Sequence, residues 1–263
     1  MEHRAAIEAI FQRYDTLAMA GFRNISPDVK ADGSVVTQVD RDASRLVWDA
    51  LLAHNPEYGI VSEEEGKDHL PEAPMQWFID PIDGTASFSR GYPIWGLGIG
   101  LAEQGTPRQG YLRFPAVDES YFFDGETLVF NGREFAAKGG FPRGEEVGDT
   151  RNVLIDSTMH RRVRSLQPFS EYKLREFGST LYHLVCLAMG RAEAMFCNRV
   201  NMWDLAAALP LTRAAGFIEC HDDGSPLDTT ALGPHNRYKL HAPLAIARAA
   251  DMDDILHRLR EAR

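Results

Sequence analysis

The stretch Trp77–Thr85 constrains the fold more than any other part of the chain, because it joins an apolar run to two closely spaced acids. Its first three residues are apolar and predict the end of a buried strand, and Asp80 follows them directly. Pro81 restricts Asp80 to an extended conformation and removes one backbone donor. The chain is therefore expected to leave the strand at this point and to turn.

Asp83, Gly84 and Thr85 complete the predicted turn. Glycine lets the backbone approach a ligand closely, and Thr85 supplies a hydroxyl at a predicted helix start, where free N–H groups favour an anion. The pattern favours a turn that holds hard metal ions next to a phosphate. An acidic surface turn is the alternative, since turns are rich in the same residue types.

The composition is typical of a globular protein, with 263 residues of which 44% are hydrophobic and 25% charged. Twenty-eight basic and 38 acidic residues give a net charge of -10, which disfavours binding to nucleic-acid polymers and to anionic membranes. An anionic substrate would need local positive charge, which bound cations can supply.

The cysteines and the N-terminus indicate the compartment. Cys186, Cys197 and Cys220 are widely spaced and form no Cys-x-x-Cys motif, which argues against a disulfide framework or a zinc site. The N-terminus lacks the basic-then-apolar pattern of a signal peptide, and no apolar run reaches the ~18 residues of a membrane span. We therefore expect a cytoplasmic protein.

Further acids are predicted at strand ends and helix starts. Asp40 ends a turn-rich loop and could cap the helix that follows. Glu63 lies in an acidic run at the exit of the short strand Tyr58–Val61, where ligands of α/β folds tend to bind, whereas most such runs are solvated loops. Asp204 opens a small-residue helix that could pack closely against a sheet, and Pro210 should bend or shorten that helix.

These acids supply oxygen ligands from several parts of the chain. Mg²⁺ demands oxygen ligands in near-octahedral geometry and commonly combines few carboxylates with water and substrate phosphate. No His-x-x-x-His pair with a nearby acid argues for zinc, and no Gly-x-Ser-x-Gly elbow argues for a serine hydrolase. The pattern suits Mg²⁺.

Glycine, proline and charge cluster from Lys138 to Thr150, which predicts a hinge. The hinge would divide a single domain into two halves, at about residues 1–138 and 139–263. The first half would hold most of the metal ligands.

The second half is predicted to begin with a strand over residues 152–155 that ends at Asp156. A final strand is expected near Tyr238–His241. A helix from about Pro243 to Leu259 would complete the chain.

The ordered set of motifs resembles the inositol monophosphatase family of magnesium-dependent, lithium-sensitive phosphatases. The resemblance is carried by the hexapeptide 80–85, by Ser62-Glu63-Glu64 before it, and by Trp203-Asp204 with Ala206-Ala207 after it. It extends over most of the chain, through the loop 30–40, Asn131-Gly132 and Gly178-Ser179. It implies a layered αβαβα sandwich of the α/β class, with the site between the two halves.

The resemblance also implies the metal ligands. One metal is expected on Glu63, Asp80 and the carbonyl oxygen of Ile82. A second is expected on Asp80, Asp83 and Asp204. A third, weaker ion is expected near Glu63, so two or three Mg²⁺ ions would bind.

The same resemblance assigns catalysis to Glu63, Thr85 and Asp40. These three residues are expected to form a network that accepts the proton of the attacking water. The N–H groups of Gly84 and Thr85 are expected to bind phosphate oxygens. The second metal would stabilise the departing alkoxide, so no phosphoenzyme is needed.

Substrate contacts are expected from Ser179, Thr180, Cys197 and Arg199. Inositol-specific members usually place a glutamate seven residues before the equivalent of Asp204, where this chain has Cys197. That departure weakens an inositol assignment, and the loop 30–40 resembles the histidinol-phosphatase and bisphosphate-nucleotidase branches. The open substrates are inositol phosphate, histidinol phosphate, a sugar (bis)phosphate and a 3′-phosphorylated nucleotide.

A regulatory binding protein that retains the fold is the non-enzyme alternative. Lost metal ligands would favour it, but every expected metal carboxylate is present in the sequence. Homodimers are common in the family, so a homodimer is one expected assembly.

Overall fold

The structure is a computed structural model that describes residues 2–24, 26–29, 35–136, 151–158, 163–198 and 200–263. Within these residues the helices are α1 (Arg4–Gly21), α2 (Gln38–His54), α3 (Thr85–Arg90), α4 (Thr180–Ala188), α5 (Trp203–Ala206), α6 (Leu209–Ala214) and α7 (Met252–Ala262). The first strands are β1 (Asp28–Val29), β2 (Val35–Val36), β3 (Gly59–Ser62), β4 (Met75–Asp83), β5 (Gly96–Glu103), β6 (Thr106–Phe114) and β7 (Glu119–Phe123). The others are β8 (Thr127–Phe130), β9 (Arg133–Ala136), β10 (Arg151–Ile155), β11 (Tyr172–Arg175), β12 (Ala194–Cys197), β13 (Phe217–His221) and β14 (Leu244–Arg248).

Two large sheets organise the described residues. The seven-stranded sheet has the order β3-β4-β5-β6-β7-β8-β9, with β3 and β4 parallel and the other pairs antiparallel. The five-stranded sheet has the order β11-β10-β12-β14-β13, and β10 is parallel to both of its neighbours. The short strands β1 and β2 pair with each other.

Helices cover both faces of each sheet in five alternating layers. The apolar faces of α1 and α2 pack on one side of the seven-stranded sheet, through residues such as Ile7, Val47 and Ile99. The other side of the seven-stranded sheet packs against α4, α5 and α6, which form a shared core with the five-stranded sheet. Helix α7 covers the outer face of the five-stranded sheet. This is the αβαβα sandwich that the resemblance implied.

Small residues bring the middle helices close to the seven-stranded sheet. A Cβ atom added to Gly110 of β6 would lie 1.7 Å from the carbonyl oxygen of Ala207, and one added to Gly100 of β5 would lie 2.4 Å from the carbonyl carbon of Ala206. The prediction of a closely packed small-residue helix is confirmed. Pro210 lies in the first turn of α6, directly after α5 has ended, so it shortens the helix as expected.

The prediction for the C-terminal region was wrong. Residues 238–241 contribute an isolated bridge at Lys239, and the segment predicted as one helix contains β14 followed by α7. Leu244, Ala245 and Ala247 are good helix formers, yet they are buried in a strand between β12 and β13, and this tertiary packing overrides their propensity.

Two other expectations concern boundaries and membranes. The hinge predicted at 138–150 lies outside the described residues. None of the helices in the described ranges is both long enough and apolar enough to cross a bilayer.

Candidate active site

A bulge at the end of β4 brings its two acids to one side of the sheet. Asp80 pairs with Gly98 and Asp83 with Gly96, so three steps along β4 match two steps along β5. Residues three apart in a regular strand point to opposite faces, and one extra residue cancels that alternation. Pro81 cannot donate to the ladder and so suits this interruption.

A third acid joins the pair from the middle layer. Carboxylate oxygens of Asp80, Asp83 and Asp204 all lie within 4.8 Å of one another. Asp204 lies in α5, and its Oδ2 accepts a hydrogen bond of 2.6 Å from the backbone N–H of Asn201. Burial, together with the negative charge of Glu63, raises the pKa of Asp204 well above its ordinary value.

Asp80 has the clearest features of a cation ligand. Its side chain is 1% exposed, and Oδ1 is buried with no hydrogen-bond partner among the described residues. Burial raises the pKa of Asp80 well above its usual range, and the neighbouring charge of Glu63 adds to the shift. A buried carboxylate oxygen without a partner, inside a group of acids, fits an oxygen-liganded divalent ion.

Asp83 is fixed by the start of α4. Its Oδ1 accepts from the backbone N–H of Thr180 at 3.1 Å, and its Oδ2 accepts from the N–H of Leu181 at 2.7 Å and from the Ser179 hydroxyl. Burial raises the pKa of Asp83 to about 6, and the Ser179 hydrogen bond opposes that rise. These contacts fix the orientation of the Asp83 carboxylate, although Ser179 lies 96 residues further along the chain.

Asp40 connects α2 to the turn. Thr37, not Asp40, is the N-cap of α2, and Asp40 completes a capping box by accepting the Thr37 N–H at 2.8 Å. The prediction that Asp40 caps the helix is corrected accordingly. Its other oxygen, Oδ1, accepts from the Thr85 hydroxyl at 2.8 Å. That hydroxyl also lies 3.0 Å from the carbonyl oxygen of Ile82, which places the predicted Ile82 ligand beside it.

Gly84 shapes the turn itself. It has a φ of +90°, and an added Cβ would lie 2.8 Å from the carbonyl oxygen of Gly178. No described side chain caps α3 there. The position therefore needs glycine both for its backbone angle and for its close contact with the loop before α4.

Glu63 lies directly after β3, where its N–H donates to the carbonyl oxygen of Ile79 at 3.1 Å. It is outside the 4.8 Å group of three acids, but its charge acts on both Asp80 and Asp204. Glu63 lines a cleft of about 350 Å³ together with Lys67, Trp203, Arg237 and Tyr238. The acidic run therefore faces a cavity.

The residues predicted to bind substrate fall in different places. Ser179 is 2% exposed and its hydroxyl serves Asp83, while Thr180 supplies a backbone N–H to the same carboxylate. Cys197 is fully buried in the core between the sheets, so it offers no surface to a ligand. Arg199 lies outside the described residues.

Sequence reasoning missed two residues that support the site. Tyr238 donates to Asp68 at 3.3 Å, and its carbonyl oxygen accepts from the N–H of Met202 at 2.8 Å, so it links the Glu63 loop to the segment before Asp204. Asn201 holds Asp204. The contacts of Tyr238 join distant parts of the chain, so no local pattern could have revealed them. The Asn201 contact spans only three residues, and the spacing Asn-x-x-Asp was its local signal.

Comparison with known proteins identifies the family. A family model described as "Inositol monophosphatase family" matches residues 2–253. The chain belongs to the inositol monophosphatase family. Membership identifies it as a phosphatase-type hydrolase, since its named relatives in the family include phosphatases.

Two relatives and one solved structure illustrate the similarity to other inositol monophosphatase family members. A histidinol-phosphatase of Chlorobaculum parvum is 31% identical over 204 residues, which are 76% of this chain and 78% of that protein. An inositol-1-monophosphatase of Mesorhizobium japonicum is 29% identical over 224 residues, covering 78% and 79%. An IMPase of Thermotoga maritima superposes with a TM-score of 0.82 at 21% identity, covers 100% of this chain and 98% of its own, and shows the fold.

Proposed function

We propose that this protein is a Mg²⁺-dependent phosphomonoesterase that hydrolyses a small phosphorylated metabolite. One observation carries the proposal: the partnerless buried oxygen of Asp80 lies within a compact group of three carboxylates. Carboxylates crowded in this way repel one another unless a cation or protons compensate them, and Mg²⁺ sites of this type commonly include substrate phosphate.

The proposed ligands are those that the family resemblance implies, and the grouping of Asp80, Asp83 and Asp204 supports the second set. Glu63, Asp80 and the Ile82 carbonyl would hold one ion, and Asp80, Asp83 and Asp204 the second. A third, weaker ion would bind near Glu63. Bound Mg²⁺ would lower the pKa of water and neutralise charge on the attacking and leaving oxygens.

The chain's own residues would move the proton and hold the phosphate. A water at Thr85 would transfer a proton to Thr85 Oγ1 while the Thr85 hydroxyl passes its own proton to Asp40 Oδ1. Burial raises the pKa of Asp40, which makes that carboxylate a better proton acceptor. The N–H groups of Gly84 and Thr85 would bind phosphate oxygens while the water oxygen bonds to phosphorus and the ester oxygen departs.

The substrate is proposed only as a class. Similarity to proteins named inositol-1-monophosphatase and histidinol-phosphatase supports a phosphate ester of a small polar alcohol. Within that class, inositol phosphate, histidinol phosphate, a sugar (bis)phosphate and a 3′-phosphorylated nucleotide are the candidates.

A phosphate-release screen tests the proposal. Wild-type protein would be assayed on those four substrates with Mg²⁺, with EDTA and with Mg²⁺ plus Li⁺. We expect release from at least one substrate, loss of release in EDTA and inhibition by Li⁺. Absence of release from all four would favour the non-enzyme alternative, a regulatory binding protein.

Assembly and location complete the proposal. A homodimer and a cytoplasmic location are both compatible with the family. Light scattering of the purified protein would measure the mass in solution, and a single chain of 29.4 kDa gives the reference value.

A further inference from the structure

Asp156 stands immediately beyond β10, next to the end of β12. Strands β10 and β12 are parallel, with Leu154 level with Met195 and Ile155 level with Phe196. One step further, Asp156 is level with Cys197, and its N–H donates to the carbonyl oxygen of Phe196 at 3.1 Å. The carboxyl ends of neighbouring parallel strands are where α/β folds place ligand contacts.

Alternation along the strands indicates which layer Asp156 faces. Leu154 and Met195 both belong to the core between the two sheets, and so does Cys197. Asp156 is two residues beyond Leu154 and therefore takes the same side as Cys197. That side holds α4, whose first residues bind Asp83, and α5, which carries Asp204.

Electrostatic effects agree with this placement. The negative charges of Asp156 and Asp204 both add to the rise that burial causes in the pKa of Cys197. Burial lowers the pKa of His183, in α4, to about 4, and Asp156 opposes that shift. Asp156 is therefore near Cys197, which also lies near a metal ligand, and near the helix that fixes Asp83.

The carboxylate of Asp156 is held rigidly. Its Oδ1 accepts from the N–H and from the hydroxyl of Thr158, each at 2.7 Å, and its Oδ2 accepts from the N–H of Asn198. An ionised carboxylate has about four acceptor positions, so these three bonds leave capacity for another donor. Asp156 is half-buried, which leaves part of its side chain accessible.

We propose that Asp156 is a specificity-determining residue that accepts a hydrogen bond from a hydroxyl or ammonium group on the leaving alcohol. This inference rests on the proposed phosphatase function, in which Asp83 and Asp204 lie on the side where the ester oxygen departs. At the same level of the sheet, Cys197 is fully buried and offers no acceptor. Asp156 supplies one from the adjacent strand.

A purely structural role is the competing explanation, because Asp156 also closes the turn to Thr158. The variants Asp156→Asn and Thr158→Val separate the two roles. Asp156→Asn keeps an acceptor for Thr158 but removes the charge. Thr158→Val removes the bond that the hydroxyl donates to Asp156 and the one that it accepts from the Asn198 amide, and it leaves the carboxylate in place.

Three phosphate esters serve as probes, each with Mg²⁺: inositol 1-phosphate with hydroxyl donors, histidinol phosphate with an ammonium group, and phenyl phosphate with no donor on its leaving group. For Asp156→Asn we expect KM to rise roughly 10- to 100-fold on at least one of the donor-bearing esters, the range for a hydrogen bond to a charged group. On phenyl phosphate KM should stay within about threefold of the wild-type value, as should all KM values of Thr158→Val.

The pattern of results decides the matter. A KM increase confined to histidinol phosphate assigns an ammonium group, and an increase confined to inositol phosphate assigns a hydroxyl. An increase on both esters assigns an acceptor that takes either donor. Equal changes on all three esters, or no change on any, would overturn the inference. If wild-type protein released phosphate only from a sugar (bis)phosphate or a 3′-phosphorylated nucleotide, that ester would replace the donor-bearing probe. If it released phosphate from none of these esters, the proposed function would fail instead, and the two failures are thereby distinguished.

Discussion

The hydroxyl of Thr85 donates a hydrogen bond of 2.8 Å to Asp40 Oδ1 across 45 residues of chain. Asp40 belongs to the capping box of α2, and Thr85 begins α3 directly after the acidic turn. This hydrogen bond therefore holds the Asp40 carboxylate next to the turn that is predicted to bind phosphate. It also gives Asp40 a defined proton donor, which the proposed mechanism uses.

Replacing Thr85 with valine should remove this proton path. We expect kcat to fall by roughly 10²- to 10⁴-fold, the contribution typical of positioned proton transfer. Thr85→Ser, which keeps the hydroxyl, is the matched variant and should retain most of the activity. Steady-state phosphate release checks both. Equal losses in the two variants would contradict the assigned role, because serine keeps the hydroxyl that valine lacks.

Ser179→Ala should weaken magnesium binding more than it weakens chemistry. The Ser179 hydroxyl donates to Asp83, and its oxygen also caps α4 by accepting from the N–H of Tyr182 at 3.0 Å. Loss of a residue that orients a metal ligand typically costs roughly 10- to 100-fold in metal affinity. Loss of the cap should also cost about 1 kcal/mol of stability.

A magnesium titration of phosphate release separates these two effects of Ser179→Ala. The concentration for half-maximal rate should rise, and saturating Mg²⁺ should restore most of kcat. Ser179→Thr keeps the hydroxyl and is the control. An unchanged magnesium requirement in the alanine variant would contradict the assigned role.

His183 should make the protein less stable in mild acid. Its Nε2 accepts from the N–H of Phe177 at 2.9 Å, and burial lowers its pKa from 6.5 to about 4. Below pH 6.5 His183 is protonated in the unfolded chain but stays neutral in the folded chain. The free energy of unfolding therefore falls as pH drops from 6.5 towards 4. Between pH 7 and pH 5 the loss would be about 2 kcal/mol.

His183→Gln provides the comparison, because glutamine can accept the same hydrogen bond but does not titrate. Denaturant unfolding at pH 7 and pH 5 measures both proteins. Wild-type protein should lose about 2 kcal/mol more than the variant over this interval. Identical losses would show that His183 is not the group responsible.

Gly110→Ala should disturb both the packing and the site. The new Cβ would lie 1.7 Å from the carbonyl oxygen of Ala207, three residues beyond Asp204. Overpacking of this kind costs roughly 1–3 kcal/mol, and displacement of α5 should lower kcat as well. Gly66→Ala is the control for stability, since its added Cβ would meet no atom of the described residues within 4 Å. Thermal unfolding of the two variants gives the comparison.

The acidic turn and the αβαβα layers could be predicted because their signals are local or repeated. The apolar residues before Asp80 and the amphipathic pattern of α1 are visible in the sequence, and the family resemblance supplied the layer order. The contacts of Ser179 and Tyr238 could not be predicted, since each joins segments that are distant in sequence. Strand β14 was missed because Ala and Leu are helix formers, and only burial between two strands makes the segment extended.

The central claim is that the three-acid group holds Mg²⁺ for phosphate hydrolysis. It is tested most directly by a magnesium titration of phosphate release with wild-type protein and Asp204→Asn. The variant should remain folded, because it removes a charge that is buried among like charges. We predict release by wild-type protein that rises with Mg²⁺ and none by the folded variant at any concentration. Normal magnesium-dependent release by Asp204→Asn would contradict the account.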